Sequence, residues 1–483
     1  MAKMELGRRV VLAGALGGAL GGMGVGGAAA APAYTLADWV RERGERYLVG
    51  HRGVGDVWPE HTMESYQAAV DRGAKAMEIS VGITADGVLV CLHDKTLERT
   101  TNLTGRLRDI TWAQLRAGWV DVPRLGPYWQ RAKVRVPLFE DVLRRFGGRV
   151  ILCVEAKDGP AWEPLLAMVA KYRLERSVML KSYYLSPQFA DWKAQGFGIF
   201  AYFTAPPEIT SEAVGRLKGL LSPATDAIIV PYSSPDGYLS DELVELVKGS
   251  GMPVWPYPLH RRADVEHYLA RGLGGAITSN FGYINHRTKP VRSDQWARGA
   301  IVPGELTRDP YNDRFALTWR PDGVVELGAT GDQHFLTLGN LSPVTAPAYT
   351  IEFEAAFPAL PSDSAAGLSL AFGHADDRYF EEGLGRSDGY TASLRADGRL
   401  TLAVHRAGQA AEVLLAVRNT AAPRADEWMR FRLTVTPSRL IWTRLDRPAS
   451  VVATDTSYRG GYLHLGRAAI DGRLALRSLK LLS

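Results

Sequence analysis

The chain is short of cysteine, with two in 483 residues. That excludes a disulfide framework and a zinc site built from cysteines. It is also short of net charge. There are 57 Lys and Arg against 52 Asp and Glu, a formal +5; without residues 1–33, which hold Lys3, Arg8 and Arg9 against Glu5, the balance is 54 against 51. So small an excess on so long a chain makes no electrostatic case for nucleic acid as the main partner. Beyond the first 33 residues no apolar run is long enough to span a bilayer, so no integral membrane segment is expected in the mature chain. With 46% hydrophobic and 23% charged residues the chain is near globular averages, which excludes wholesale disorder. Its length suits two or three domains.

Residues 1–33 read as an address. Arg8-Arg9 precede an uncharged, glycine-rich stretch from Val10 to Ala33 that ends in small residues, the parts of an export signal. The paired arginines before Val10-Val11-Leu12 resemble a twin-arginine signal, which is read by a receptor and removed. An uncleaved membrane anchor is the alternative. The expected location is secreted or extracytoplasmic. Thr35-Leu36-Ala37-Asp38 then has the form of a capping box and predicts a helix.

From about residue 45 to 290, short apolar runs alternate with amphipathic segments. The runs are Tyr47–His51, Ala76–Val81, Gly87–His93, Val150–Lys157, Val178–Ser182, Gly198–Tyr202, Ala227–Val230, Pro253–Tyr257 and Gly275–Thr278. Strands alternating with helices imply a parallel sheet, and roughly eight such units are the number in a (β/α)8 barrel. A doubly wound open sheet is the alternative, because spacing does not reveal closure. From about 306 the pattern becomes period-two strands with turns such as Pro321-Asp322-Gly323, and no helix is expected. The predicted fold is therefore α/β, a (β/α)8 (TIM) barrel over 34–290, a linker over 291–305, and an all-β sandwich or jelly roll over 306–483.

Ionisable residues gather at the ends of the first strands. Tyr47–Gly50 runs into His51-Arg52, Ala76-Met77 into Glu78-Ile79-Ser80, Val88–Leu92 into His93-Asp94, and Ile151–Val154 into Glu155-Ala156-Lys157. Alternation puts Glu78 with Ser80, and Glu155 with Lys157, on one face. Taken singly, each is as well explained as a solvated loop residue or a surface ion pair. Four successive strands ending this way imply a common cup at the C-terminal rim of a barrel. Two imidazoles there can share acid and base duties, Arg and Lys suit phosphate oxygens, and facing carboxylates suit a hard cation, Mg²⁺ or Ca²⁺. Together they suit attack at a phosphodiester.

The ordered run His51-Arg52-Gly53, Pro59-Glu60-His61-Thr62, Glu78-Ile79-Ser80-Val81, His93-Asp94, Leu97-Glu98-Arg99-Thr100-Thr101, Val136-Pro137-Leu138-Phe139-Glu140-Asp141 and Glu155-Ala156-Lys157 resembles the glycerophosphodiester phosphodiesterase family, TIM-barrel enzymes akin to phosphatidylinositol phospholipases C. The resemblance spans roughly 47–280. It implies hydrolysis of a glycerophosphodiester to glycerol phosphate and an alcohol. His51 and His93 would be acid and base, in unassigned order. Glu78 and Glu155 would hold the divalent cation, Ca²⁺ or Mg²⁺, with position 80 as third ligand. Arg52 and Lys157 would face the phosphate, and Glu60 would support them. The family's Asp at position 80 is Ser80 here, a neutral hydroxyl in place of a charged donor, which implies weaker cation binding. Where the family often has Thr-Asp after the last strand, this chain has Thr278-Ser279. Trp255 is a candidate for the pocket wall, with a core role at least as well supported.

Beyond residue 305, Tyr349-Thr350-Ile351-Glu352-Phe353 and the closing strands resemble laminin-G or concanavalin-like sandwiches, which implies an accessory, carbohydrate-binding module. Expected partners are a small phosphodiester, a lipid headgroup or a cell-wall polymer. Two other functions stay open: a headgroup- or wall-binding protein that lost hydrolysis with the Asp at position 80, and a phospholipase-D-like lyase on intact lipids. Cys91 and Cys153 each precede a rim residue by two and are expected to point inward, as buried thiols rather than a disulfide.

Overall fold

The computed structural model describes residues 33–234, 237–341, 348–378, 388–407, 409 and 411–482. The expected export signal lies outside the described residues, except for Ala33. No helix among the described residues is long and apolar enough to cross a membrane.

Nine strands build the sheet of the first half: β1 (Tyr47–Gly50), β2 (Ala76–Ile83), β3 (Leu89–Cys91), β4 (Ile151–Ala156), β5 (Val178–Tyr183), β6 (Gly198–Tyr202), β7 (Ala227–Pro231), β8 (Val254–Tyr257) and β9 (Gly275–Thr278). Eight of them form one parallel sheet in the order β8-β7-β6-β5-β4-β2-β1-β9. The two ends meet just past β8, where the Leu259 amide donates to Ile277 O (2.8 Å) and the Ser279 amide donates to Leu259 O (3.2 Å). The sheet therefore nearly closes into a TIM-like barrel, and the open-sheet alternative falls. One expected strand is corrected. The run Gly87–His93 is not a barrel stave, because β3 pairs antiparallel with β2, Val81 opposite Cys91, as a short hairpin off the wall.

Barrel strands are buried on both faces, which explains their near-continuous apolar sequences. Alternation sends Val49, Ala76, Ile151, Cys153, Met179, Phe200, Ile229, Trp255 and Ile277 inward, where they pack with Leu36 and Trp39 of the helix Leu36–Glu42. That helix starts at the predicted capping box, with both reciprocal hydrogen bonds present, and it plugs the N-terminal end of the barrel. Trp255 belongs to this plug. It is fully buried, its ring is edge-on to Trp39, Tyr47 and Phe200, and its indole N–H donates to the Tyr47 hydroxyl (2.5 Å). Its assignment to the substrate pocket is thus corrected: its inward position on β8 is one layer below the rim. Cys153 also points inward, whereas Cys91, carried by the hairpin, joins the outer core with Tyr66 and Phe139. Both are buried free thiols, on opposite faces of the wall.

The second half is two seven-stranded antiparallel sheets around one apolar core. Among the described residues no α-helix follows Ile284. Four of its strands escaped the sequence pattern: Glu305–Leu306, His334–Leu338, Val413–Asn419 and Ala449–Ala453. Val413–Asn419 is an edge strand exposed except at Leu415 and Ala416, which are adjacent and partly buried, so it carries no inside–outside alternation. Residues 291–305, expected as a linker, pack closely: Trp296 is fully buried in the sandwich core and its indole N–H donates to the buried Glu305.

The sandwich also reaches into the barrel. The helix Arg262–Ala270 follows the N-cap residue Arg261, which supplies no side-chain cap. Asp377 supplies one instead, accepting from the backbone amides of Arg262 and Ala263 and from the Tyr283 hydroxyl, each at 2.8 Å. The Arg261 guanidinium donates to Thr337 Oγ1, Thr307 O and Asp377 O.

Candidate active site

The C-terminal rim collects the polar residues. At the end of β1 the chain turns sharply, with Arg52 at φ +55 and Gly53 at φ +86; a Cβ at Gly53 would run into Ser65, so the turn needs glycine there. The turn leaves His51 pointing inward. Its Nδ1 lies 2.6 Å from Ser279 Oγ, and its Nε2 lies 3.6 Å from Glu78 Oε2. The Tyr311 hydroxyl, from the segment entering the sandwich, donates to the same Ser279 Oγ (3.0 Å). Burial, with Arg52 and Lys181 nearby, holds the His51 imidazole well below its usual pKa, so it is neutral at pH 7.

His93 is reached differently from the sequence expectation, from the loop after the β3 hairpin rather than from a barrel stave. Its Nδ1–H donates to Asp94 Oδ1 (2.6 Å), and Lys157 Nζ lies 3.4 Å from its Nε2. A carboxylate only accepts, so the His93 proton sits on Nδ1 and the Nε2 lone pair is directed at the site. Burial lowers its pKa, against the pull of Asp94. Asp94 is itself fixed by Arg99, which donates to both its oxygens and also forks onto Glu60. Glu60 accepts from Arg52 as well (3.0 Å).

The opposite side is closed by a residue the sequence reading passed over. Lys181, inward on β5, places Nζ 2.6 Å from Glu78 Oε1 and 2.9 Å from Glu155 Oε2. The first contact is a hydrogen bond; the second is an ion pair off the hydrogen-bond line. The rings of Phe200, Tyr202 and Tyr257 stand 5.1–5.9 Å from the same nitrogen. Lys157 lies 3.1 Å from Glu155 Oε1. Contacts therefore run from His51 through Glu78, Lys181, Glu155 and Lys157 to His93, and back through Asp94, Arg99, Glu60 and Arg52. The predicted residues His51, Arg52, Glu60, Glu78, His93, Glu155 and Lys157 are brought together in one ring. Ser80, also inward and buried, lies outside it: its hydroxyl has no hydrogen-bond partner. Glu78 and Lys181 are deep, while His93, Arg52 and Lys157 are half-buried and form the open side.

Sequence reasoning missed Lys181, Tyr311, Ser279 as partner of His51, and a second pair in which His260 Nδ1–H donates to both oxygens of the buried Asp56 (2.9 Å each). The one available signal was a lysine inside the otherwise apolar run Val178–Ser182. A cleft of about 1150 Å³, lined by Arg43, Arg46, Arg271 and Arg287, opens elsewhere and shares no residue with the ring.

Residues 51–193 match the glycerophosphoryl diester phosphodiesterase family. A glycerophosphodiester phosphodiesterase of Bacillus altitudinis is 30% identical over 246 residues, covering 48% of this chain and 93% of that protein. The chain belongs to the glycerophosphodiester phosphodiesterase family. It is accordingly a phosphoric diester hydrolase. A glycerophosphodiester phosphodiesterase of Bacillus subtilis is 28% identical over 272 residues, covering 50% of this chain and 85% of its own length. Among solved structures, a glycerophosphoryl diester phosphodiesterase of Parabacteroides distasonis is 21% identical and covers 56% of this chain and 99% of its own (TM-score 0.43). An Oleispira antarctica phosphodiesterase solved with the product sn-glycerol-3-phosphate is 19% identical and covers 50% and 95% (TM-score 0.42).

Enzymes of this family generally depend on a divalent metal. The donors here do not fit one. Glu78 and Glu155 already share an ammonium, and Ser80 brings no charge. A divalent ion on the same carboxylates would sit near Lys181 Nζ, where a separation of 4 Å at an effective dielectric of 20 means about 8 kcal/mol of repulsion. Among the described residues no group of three or more His, Cys, Asp or Glu side chains is arranged to hold a metal ion.

Proposed function

We propose that the chain hydrolyses glycerophosphodiesters by acid–base catalysis between its two rim histidines. The observation that carries this reading is the closed ring of contacts joining His51 to His93. His93, with its proton on Nδ1 and Asp94 behind it, is the base: Nε2 removes the proton of the attacking oxygen, whether water or the substrate's neighbouring hydroxyl. His51 is the acid. With Tyr311 donating to Ser279 and the Ser279 hydroxyl donating to Nδ1, the imidazole carries its proton on Nε2, toward the cup. The phosphodiester anion raises the His51 pKa as it binds, and Nδ1 takes up a proton that Ser279 Oγ then accepts. As the new bond to phosphorus forms and the bond to the alcohol breaks, the imidazolium passes its Nε2 proton to the departing oxygen, leaving a neutral imidazole. Arg52 and Lys157 meet the phosphoryl oxygens, whose charge grows in the transition state. Products are glycerol phosphate and an alcohol, directly or through a cyclic phosphate.

The same reading takes residues 1–33 as the export signal of an extracytoplasmic enzyme and the sandwich as an accessory module for a cell-wall polymer or glycan. The test is ³¹P NMR of purified protein with a panel of glycerophosphodiesters differing in headgroup, with and without added Ca²⁺ or Mg²⁺. Release of glycerol phosphate from at least one is expected. No turnover across the panel under any of these conditions refutes hydrolysis and leaves a headgroup-binding protein.

A further inference from the structure

The resemblance and the family both call for a divalent cation between Glu78 and Glu155, and a cation is what the structure has there, covalently attached. We propose that Lys181 takes the place of the metal and that this enzyme works without one. Three observations converge on this assignment. The ammonium lies within 2.9 Å of both carboxylates that the resemblance assigns to the metal. Phe200, Tyr202 and Tyr257 surround it at 5.1–5.9 Å, a cage of aromatic faces that favours an organic cation and supplies no third charged ligand. Position 80, where the family has its remaining acidic ligand, is Ser80, whose buried hydroxyl has no partner. The two departures fit one cause. A single positive charge balances fewer carboxylates than a divalent ion does, so replacing the metal by an ammonium leaves an Asp at position 80 without compensation in a fully buried place. Ser removes that charge.

The chemistry follows from what an ammonium offers. It has three N–H groups. One is donated to Glu78, and the pair with Glu155 holds the second carboxylate, so the two acidic side chains are kept apart without an ion that must be acquired from the medium. What Lys181 does not offer is a displaceable inner sphere. A substrate oxygen is met by a hydrogen bond instead of by coordination, and no metal-bound water is available as nucleophile. The nucleophile's proton must then go to His93, which has its Nε2 lone pair free of any carboxylate and is held for that task by Asp94.

The kinetic arm of the test rests on the hydrolase reading; the binding arm does not. Ca²⁺ and Mg²⁺ are titrated calorimetrically into the purified chain. The unsubstituted protein is expected to show no saturable site tighter than ~1 mM, the weak end for extracellular calcium modules. Lys181→Gln combined with Ser80→Asp is expected to gain one site, at least about tenfold tighter. In the kinetic arm, a chelator changes glycerophosphodiester turnover by less than about twofold, while Lys181→Met lowers kcat by ~10²-fold, the loss of one charged stabiliser. One tight site in the unsubstituted protein, or turnover abolished by chelator and restored by Ca²⁺ or Mg²⁺, overturns the proposal. Absence of turnover in every condition refutes the hydrolase reading instead, and the titration of the unsubstituted protein still decides the role of Lys181 without relying on a variant that folds.

Discussion

Replacing Asp94 by Asn puts the proposed base to a direct test, because the consequence is dictated by Arg99. In the native chain Arg99 donates to Oδ2 through Nε and to Oδ1 through Nη2 at 3.1 Å, while Oδ1 also accepts from His93 Nδ1 at 2.6 Å. An Asn has one oxygen and one NH₂. Placed at the Oδ2 position, the NH₂ would meet the Arg99 Nε–H head-on at the shortest contact of the group, so the oxygen goes there. The NH₂ then occupies the Oδ1 position and donates to His93 Nδ1. That moves the imidazole proton to Nε2, the atom meant to receive the nucleophile's proton. General-base help is worth ~10²–10⁴-fold, about 3–5 kcal/mol of barrel-site transition-state stabilisation, so kcat falls by that factor with KM nearly unchanged. Asp94→Ala leaves both tautomers open and loses less than Asp94→Asn. Steady-state kinetics supply the rates, and long-range ¹H–¹⁵N spectra of His93 report the tautomer. A loss under about tenfold with the proton demonstrably on Nε2 would sink the assignment of His93 as base.

Three further outcomes are expected. Burial holds the pKa of His51 and His93 below 6.5, so both stay neutral in the folded chain while the unfolded chain takes up protons; their contribution to stability is complete above pH 6.5 and is lost as pH falls below it. Urea unfolding between pH 7.5 and 5.5 measures this, and the acid limb of kcat/KM should lie below 6.5; a limb at or above that value contradicts the burial argument. Glu60→Gln strips Arg52 and Arg99 of a shared buried carboxylate, and about 3–5 kcal/mol of stability should go with it, together with a rise in KM as Arg52 loses its hold. Asp377→Ala leaves two helix-start amides and the Tyr283 hydroxyl without their acceptor; at ~1–3 kcal/mol for each group left buried and unpaired, the urea midpoint should drop well beyond the effect of a surface substitution, and a change under ~1 kcal/mol would show the contact to be incidental.

Much of the barrel was legible because its strands obey a local rule. Short apolar runs, two to four residues long, ending in His51, Glu78 or Glu155 declare both an inward face and a rim. The same rule misassigned His93. The run Val88–Leu92 looks like a stave, but only pairing reveals that β3 runs antiparallel to β2. Trp255 obeys the alternation too, yet sequence does not state how deep along the strand a side chain sits, and it proved to be one layer low. Lys181 was hidden for another reason. Its partners Glu78 and Glu155 lie 103 and 26 residues away in sequence, and nothing local distinguishes a lysine that pairs inside a barrel from one that caps a strand. Tyr311 was out of reach altogether, since it approaches Ser279 from a segment assigned to the other half of the chain.

That last contact bears on what the second half is for. The curated relatives cover about half of this chain, so the sandwich is additional to what they share, and an added module could hang from a tether. Here it does not. The barrel helix Arg262–Ala270 has an arginine where a helix needs a capping acceptor, and the acceptor comes from Asp377 of the sandwich. The buried Arg261 donates to Thr307, Thr337 and Asp377, all three from the second half of the chain. Tyr311 then carries the dependence into the site, through Ser279 to the nitrogen of His51 that sets its tautomer. Because a buried donor without an acceptor costs more than a made hydrogen bond returns, the sandwich has to supply acceptors to the barrel residues that it buries, and it does. The acid of the proposed mechanism is therefore positioned by both halves of the chain, and a change at the interface should be felt in catalysis: Tyr311→Phe keeps the ring and removes only the hydroxyl, so a lower kcat with unfolding free energy within ~1 kcal/mol of the parent is the expected signature of a positioning role.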